Sequence, residues 1–205
     1  EPSLGESARL MRRRISDETL FINIRKTIQR ATENYGLFLP VYDERTQQSE
    51  FLVLIDQSHK NNLQVPLFNY LLDQLEKQGA YIHRYYYRDD FSLFYSKNHP
   101  KGITLEKLHD RYQKNILLIF GNGYPLLYEH YPIPDHALFK SIRHWKFQAV
   151  ITPVPYPDWG VKERSGLLPE IALVPCDAEA INILLQSLLA GNGSIADELQ
   201  SVKNR

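Results

Sequence analysis

The segment Phe51-Leu52-Val53-Leu54-Ile55-Asp56 is apolar at five successive positions. A strand with one face on water alternates polar and apolar side chains. A run that is apolar on both faces has to be covered on both, as happens inside a mainly parallel sheet. A second such run, Asn115-Ile116-Leu117-Leu118-Ile119-Phe120, follows further on. Between the two lie a helical spacing of Leu67, Tyr70, Leu71 and Leu75 closed by Gly79, and an aromatic stretch from Tyr81 to Tyr87. Helices over 105–112, 135–144 and 178–189 and strands over 149–152 and 171–174 continue the alternation. The pattern predicts an α/β fold: a three-layer, Rossmann-like, mainly parallel sheet with helices on both faces and right-handed crossovers.

Before the first buried strand, Arg9, Arg12, Arg13 and Arg14 lie close together, and residues 1–15 are expected to be a basic arm or linker. From Ser16 or Asp17 as cap, Leu20, Ile24, Ile28 and Ala31 recur at helical spacing and Gly36 follows, which predicts an amphipathic helix. One domain over 16–190, followed by a polar tail or linker over 191–205, is the expected organisation. The start at Glu1 suggests a piece of a longer protein.

Composition narrows the function classes. Lys plus Arg and Asp plus Glu both number 24, so no global field recruits nucleic acid or an anionic membrane. Cys176 is the single cysteine, which leaves no internal disulfide and no thiol pair for zinc. No apolar run approaches the ~20 residues that span a bilayer, and the basic beginning lacks the apolar core of a secretory signal. A reducing, cytoplasmic setting is expected.

Ligand sites of such sheets form beyond the carboxyl ends of the strands. There the sequence offers Asp56-Gln57-Ser58-His59-Lys60, then Gly102-Ile103-Thr104 before a helix, then Gly121-Asn122-Gly123 after the second buried strand. An acid followed two residues later by a hydroxyl can present both oxygens to a hard cation. These stretches resemble the von Willebrand factor A-like family, whose metal-ion-dependent adhesion site uses an Asp-x-Ser-x-Ser motif, a Thr before a later helix and an Asp-Gly after the fourth strand. Asp56, Ser58 and Thr104 match that pattern; Lys60 stands where the second Ser belongs and Asn122 where the Asp belongs. More narrowly, Ile28 to Tyr42, Phe51 to Ser58, Tyr81 to Asp90, Ile116 to Gly123 and Thr152 to Glu163 with Trp159-Gly160 resemble a region near the start of large bacterial proteins that also carry WD-repeat or formylglycine-generating-enzyme-like domains.

The resemblance implies a degenerate metal site. Asp56, Ser58 and Thr104 are candidate Mg²⁺ ligands, but Asn122 removes a charge and Lys60 supplies an ammonium, so a metal-free Asp56 is the expectation, with no cofactor. Asp89 and Asp90 read as solvated loop acids, and Tyr81, Tyr85, Tyr86 and Tyr87 as packing aromatics. The pairs His59 with His83 and His130 with His136 lack the spacing of a ligand motif, and Cys176 reads as a buried structural thiol. Gly121-Asn122-Gly123 lacks the Lys-Ser/Thr of a phosphate loop. The functional expectation is a non-catalytic protein-interaction module of a bacterial signalling or defence-type protein. Asp56, Ser58, Lys60, Thr104, Asn122 and Trp159 would dock a partner protein or a neighbouring domain, without membrane or nucleic acid. The alternative is a small-ligand or nucleotide-binding enzyme or sensor using the same crevice.

Overall fold

The computed structural model describes residues 4–58, 63–128 and 131–190, which form two compact units, residues 13–49 and the remainder.

The larger unit is built on a seven-stranded sheet. Its strands are β3 (Glu50–Asp56), β4 (Tyr81–Arg88), β5 (Asp90–Ser96), β6 (His99–Ile103), β7 (Ile116–Phe120), β8 (Gln148–Thr152) and β9 (Ala172–Pro175). They lie in the order β6-β5-β4-β3-β7-β8-β9. β3, β4, β7, β8 and β9 are parallel to one another. β5 is antiparallel to β4, and β6 to β5. The α/β class expected from the buried runs is therefore present, with a mixed rather than purely parallel sheet.

Alternate residues of the central strands feed two cores. Phe51, Val53 and Ile55 of β3 pack with Phe68 and Leu72 of α3 (Gln64–Lys77) and with Leu184 and Leu188 of α6 (Ala178–Ala190). Leu52 and Leu54 face the other way, toward Leu108 of α4 (Leu105–Tyr112) and Phe139 and Ile142 of α5 (His136–Ile142). A single strand buried from Phe51 to Asp56 thus serves both layers. Among the described residues, no helix is long and apolar enough to cross a membrane.

The N-terminal reading is corrected. Leu4–Met11 is a helix, α1, rather than an arm. Ala8, Leu10 and Met11 are buried in the same core as α3 and α6, and Ser7 donates its hydroxyl to Asn182 Oδ1 of α6. Arg9, Arg12 and Arg13 project to solvent. Burying Leu10 and Met11 contributes roughly 1.5–3 kcal/mol each, which holds down a segment whose arginines alone suggested a linker.

The smaller unit is also not the helix expected from residue 16 to Gly36. Arg14–Ile22 is a strand, β1, paired antiparallel with β2 (Tyr42–Gln48). The helix between them, α2, covers only Ile24–Glu33, and its cap is Asn23, whose side chain accepts from Lys26 N at 2.9 Å. Thr27 is buried, with Oγ1 accepting from Val41 N at 2.9 Å. Ile24 and Ile28 are 71% and 61% exposed, so the apolar stripe of the sequence faces outward and a polar residue faces in. Asp43 accepts from Lys26 Nζ at 2.7 Å and from Asn23 Nδ2 at 2.6 Å; these bonds hold its carboxyl below the usual carboxylate range. Ser49 returns to the start of the unit, donating through N and Oγ to Arg13 O at 3.3 and 2.7 Å. The expected single domain over 16–190 is thus replaced by two units, and 191–205 lies outside the described residues.

Candidate functional site

From β3 the chain moves to one side to form β4, β5 and β6, and then crosses to the other side of β3 to form β7, β8 and β9. The reversal between β3 and β7 is a topological switch point. Ligand sites of such sheets form beyond the strand ends at this point. The residues at that point are Asp56-Gln57-Ser58 and Gly121-Asn122-Gly123.

Asp56 is 6% exposed. Its Oδ1 accepts from Ser58 N at 2.8 Å and also from the Ser58 hydroxyl. Ser58 Oγ in turn accepts from Asp89 N at 2.9 Å, and Gln57 N donates to Tyr87 O at 2.9 Å. The loop after β3 is therefore tied to the end of β4. After β7, Gly121 N donates to Ile151 O at 3.1 Å, and Asn122 Oδ1 accepts from Tyr124 N at 2.9 Å. The two loops meet closely: a Cβ on Gly121 would stand 2.7 Å from Asp56 Cβ and 3.1 Å from the Tyr87 hydroxyl. That hydroxyl is buried without a hydrogen-bond partner. Burial, and next the Asp56 charge, push its pKa well above the ordinary phenol value.

Of the residues expected at this face, Asp56, Ser58 and Asn122 lie at the ends of the adjacent strands β3 and β7. Thr104 does not. It caps α4, with Oγ1 accepting from Lys107 N at 3.5 Å, after β6, which stands three strand positions from β3. At about 4.8 Å per strand the separation is about 14 Å. Trp159 is not a docking side chain either: it is 5% exposed, packed in the α4–α5 core, with Nε1 donating to Val154 O at 3.0 Å. Lys60, with His59, Asn61 and Asn62, lies outside the described residues, as does His130.

The donor set does not fit Mg²⁺. Such an ion needs several oxygens converging at about 2.1 Å, whereas Asp56 Oδ1 and Asn122 Oδ1 accept from backbone N–H groups of their own loops and Thr104 lies strands away. Of the β4 tyrosines, Tyr85 and Tyr87 are buried, and Tyr81, on the same face at the start of the strand, is exposed. Cys176 is half-buried, and burial together with Asp177 raises its thiol to about 11.

Glu163, at the start of a short π-helical turn (Lys162–Leu167), went unremarked in the sequence. It is 3% exposed and accepts from Tyr124 Oη at 2.5 Å and Gly160 N at 2.9 Å. Burial and this carboxylate raise Tyr124 to about 12. Glu163 thus joins the loop after β7 to the Pro-rich loop after β8. Its spacing after Trp159-Gly160 carries no motif, so nothing in the sequence distinguished it from a solvated acid.

A cavity of about 360 Å³ lies elsewhere, along the outer edge of β4, lined by Asp73, Glu76, Arg84, Ser96, Lys97 and Tyr112 among others. No protein-family model, curated protein or solved structure matches the chain.

Proposed function

We propose that this chain is a non-catalytic, von Willebrand A-like protein-interaction module, which docks a partner protein or a neighbouring domain through the loops around Asp56, Ser58 and Asn122. One observation carries the reading: at the switch point, side-chain oxygens that a metal or small ligand would need are engaged in bracing the loops. Asp56 holds Ser58, Ser58 holds Asp89, and Asn122 holds Tyr124. Loops braced in this way offer a preformed surface, which is what a protein interface requires. On this reading the module belongs to a larger bacterial protein working in a reducing cytoplasm, which the lone Cys176 suits.

The test uses charged substitutions at a side chain that takes no part in the braces. Gln57→Arg and Gln57→Glu should keep the melting temperature of the parent while abolishing capture of the partner, and Lys140→Glu on α5 should capture it normally. Equal capture by all three variants overturns the loop face. A thermal-shift series with Mg²⁺, Mn²⁺ and nucleotides separates the ligand-binding alternative, since a ligand at 100 times its Kd adds about 2.7 kcal/mol. No shift is expected.

A further inference from the structure

The outer edge of β4 is paired along only half its length. Its ladder with β5 contains Arg88 opposite Asp90 and Tyr86 opposite Tyr95, and no pair beyond. On its inner side β4 is paired with β3 throughout, from Tyr81 to Tyr87. The direction of each backbone group follows from one bond. Tyr87 O accepts from Gln57 N, next to β3, so Tyr87, Tyr85 and His83 point inward, and by strand alternation Tyr86, Arg84 and Ile82 point outward. The N–H and C=O groups of Ile82 and Arg84 thus lie on an edge with no ladder partner among the described residues. The cavity of about 360 Å³ runs along this stretch.

Its walls are polar and of opposite sign. On the α3 side, Asp73 Oδ1 and Glu76 Oε2 each lie 2.7 Å from the Arg84 guanidinium. Two carboxylates thus surround one cation, and their side chains remain 55% and 38% exposed. On the opposite side the β5–β6 turn presents Lys97 and Asn98. A free strand edge beside a groove is the arrangement that accepts an added strand, with main-chain bonds giving affinity and wall chemistry giving selectivity.

We infer that the Ile82–Arg84 edge of β4 docks an extended peptide of a partner protein, which pairs with this backbone and sets a lysine or arginine over Asp73 and Glu76. This surface is separate from the loop face and stands or falls without it.

The probe is an acetylated, amidated peptide Thr-Val-Lys-Val-Thr-Val, with a counterpart carrying glutamate in place of lysine, titrated into the isotope-labelled full chain to about 1 mM. Amide hydrogen exchange is the readout. In the free chain the amides of Ile82 and Arg84 should exchange freely while those of Tyr85 and Tyr87 are protected. The lysine peptide should protect Ile82 and Arg84, and bind roughly five-fold more tightly than the glutamate peptide, as a half-exposed ion pair allows. Protection of Ile82 and Arg84 in the free chain overturns the inference, including protection that grows with protein concentration, which would mean that a second copy covers the edge. So does binding that leaves these amides exchanging, equal affinity for the two peptides, or no binding. Gln57→Arg should bind the lysine peptide as the parent does. If it does while losing its protein partner, or the reverse, the two surfaces are judged separately.

Discussion

Arg111 Nη1 donates to His99 Nε2 at 2.8 Å. A guanidinium has no acceptor, so Nε2 must carry the lone pair and the ring proton sits on Nδ1. Nδ1 lies 3.0 Å from the Tyr85 hydroxyl, which in turn lies 3.1 Å from that of Tyr112. One neutral imidazole therefore ties β6 to both β4 and α4. Nitrogen-15 spectra at pH 8 should show the Nδ1–H tautomer for His99, and Arg111→Ala should release it toward the Nε2–H form. An Nε2–H ring in the parent would contradict the hydrogen-bond chain.

The loop brace at Glu163 predicts a stability effect rather than a catalytic one. Glu163→Ala leaves the Gly160 N–H and the Tyr124 hydroxyl without their acceptor and should cost about 1–3 kcal/mol in denaturant unfolding. Trp159→Ala, which empties part of the core, should cost about 3–5 kcal/mol. A Trp159 variant as stable as the parent would return that side chain to the surface.

Gly121 predicts a steric effect at the switch point. Gly121→Ala brings its methyl to 2.7 Å from Asp56 Cβ, and relieving that overlap should cost about 1–3 kcal/mol. Gly36→Ala, where a Cβ meets nothing within 4 Å but φ is +88°, pays only the backbone penalty, roughly 1–2 kcal/mol. Gly121 also has a positive φ, +154°, so unfolding midpoints should place Gly121→Ala, with both penalties, below Gly36→Ala, with one.

High pH should loosen the same region. Tyr124 is raised to about 12, chiefly by burial and then by Glu163, and Tyr112 to about 12, by burial and then by its bond to Tyr85. A raised folded value means the folded state holds its proton more tightly than the unfolded chain does. The stabilisation is complete below the ordinary phenol value of 10.0 and disappears as pH climbs toward about 12. Melting temperature should therefore fall between those limits, and Tyr124→Phe should flatten part of the fall. A profile unchanged in that variant would assign the loss to other groups.

How much of this was legible in the sequence depended on whether local pattern and burial agreed. β3 and β7 were readable because every apolar side chain in them is buried, so a continuous run had a single interpretation. α1 was not, because its inward residues, Ser7, Ala8, Leu10 and Met11, include two small ones and are interleaved with arginines. The helix expected at residue 16 failed because Ile24 and Ile28 project outward and the register was fixed by Asn23 and Thr27, through hydrogen bonds that no hydropathy pattern encodes. Asp56, Ser58 and Asn122 could be placed together because strand ends locate them. Thr104 and Trp159 could not be assigned correctly, since sequence position does not reveal that two further strands intervene between β6 and β3, or that an aromatic in a Pro-rich loop folds back into the core.

The closure at Arg13 and Ser49 predicts that the smaller unit can be removed. Because Ser49 bonds directly to Arg13, a short Gly-Ser linker in place of residues 14–48 should leave the remaining sheet folded and its unfolding cooperative. Loss of cooperativity on excision would show that the larger unit relies on the smaller one.

The bond from Ser7 to Asn182 spans 175 positions. α1 is synthesised before α6, so until α6 has been made the apolar side of α1 has no α6 to rest on. Closing so long a loop is slow, and an unpartnered apolar helix invites aggregation. During that interval Ala8, Leu10 and Met11 lack part of the core that covers them in the folded chain, so burial of this short helix is completed only once α6 exists.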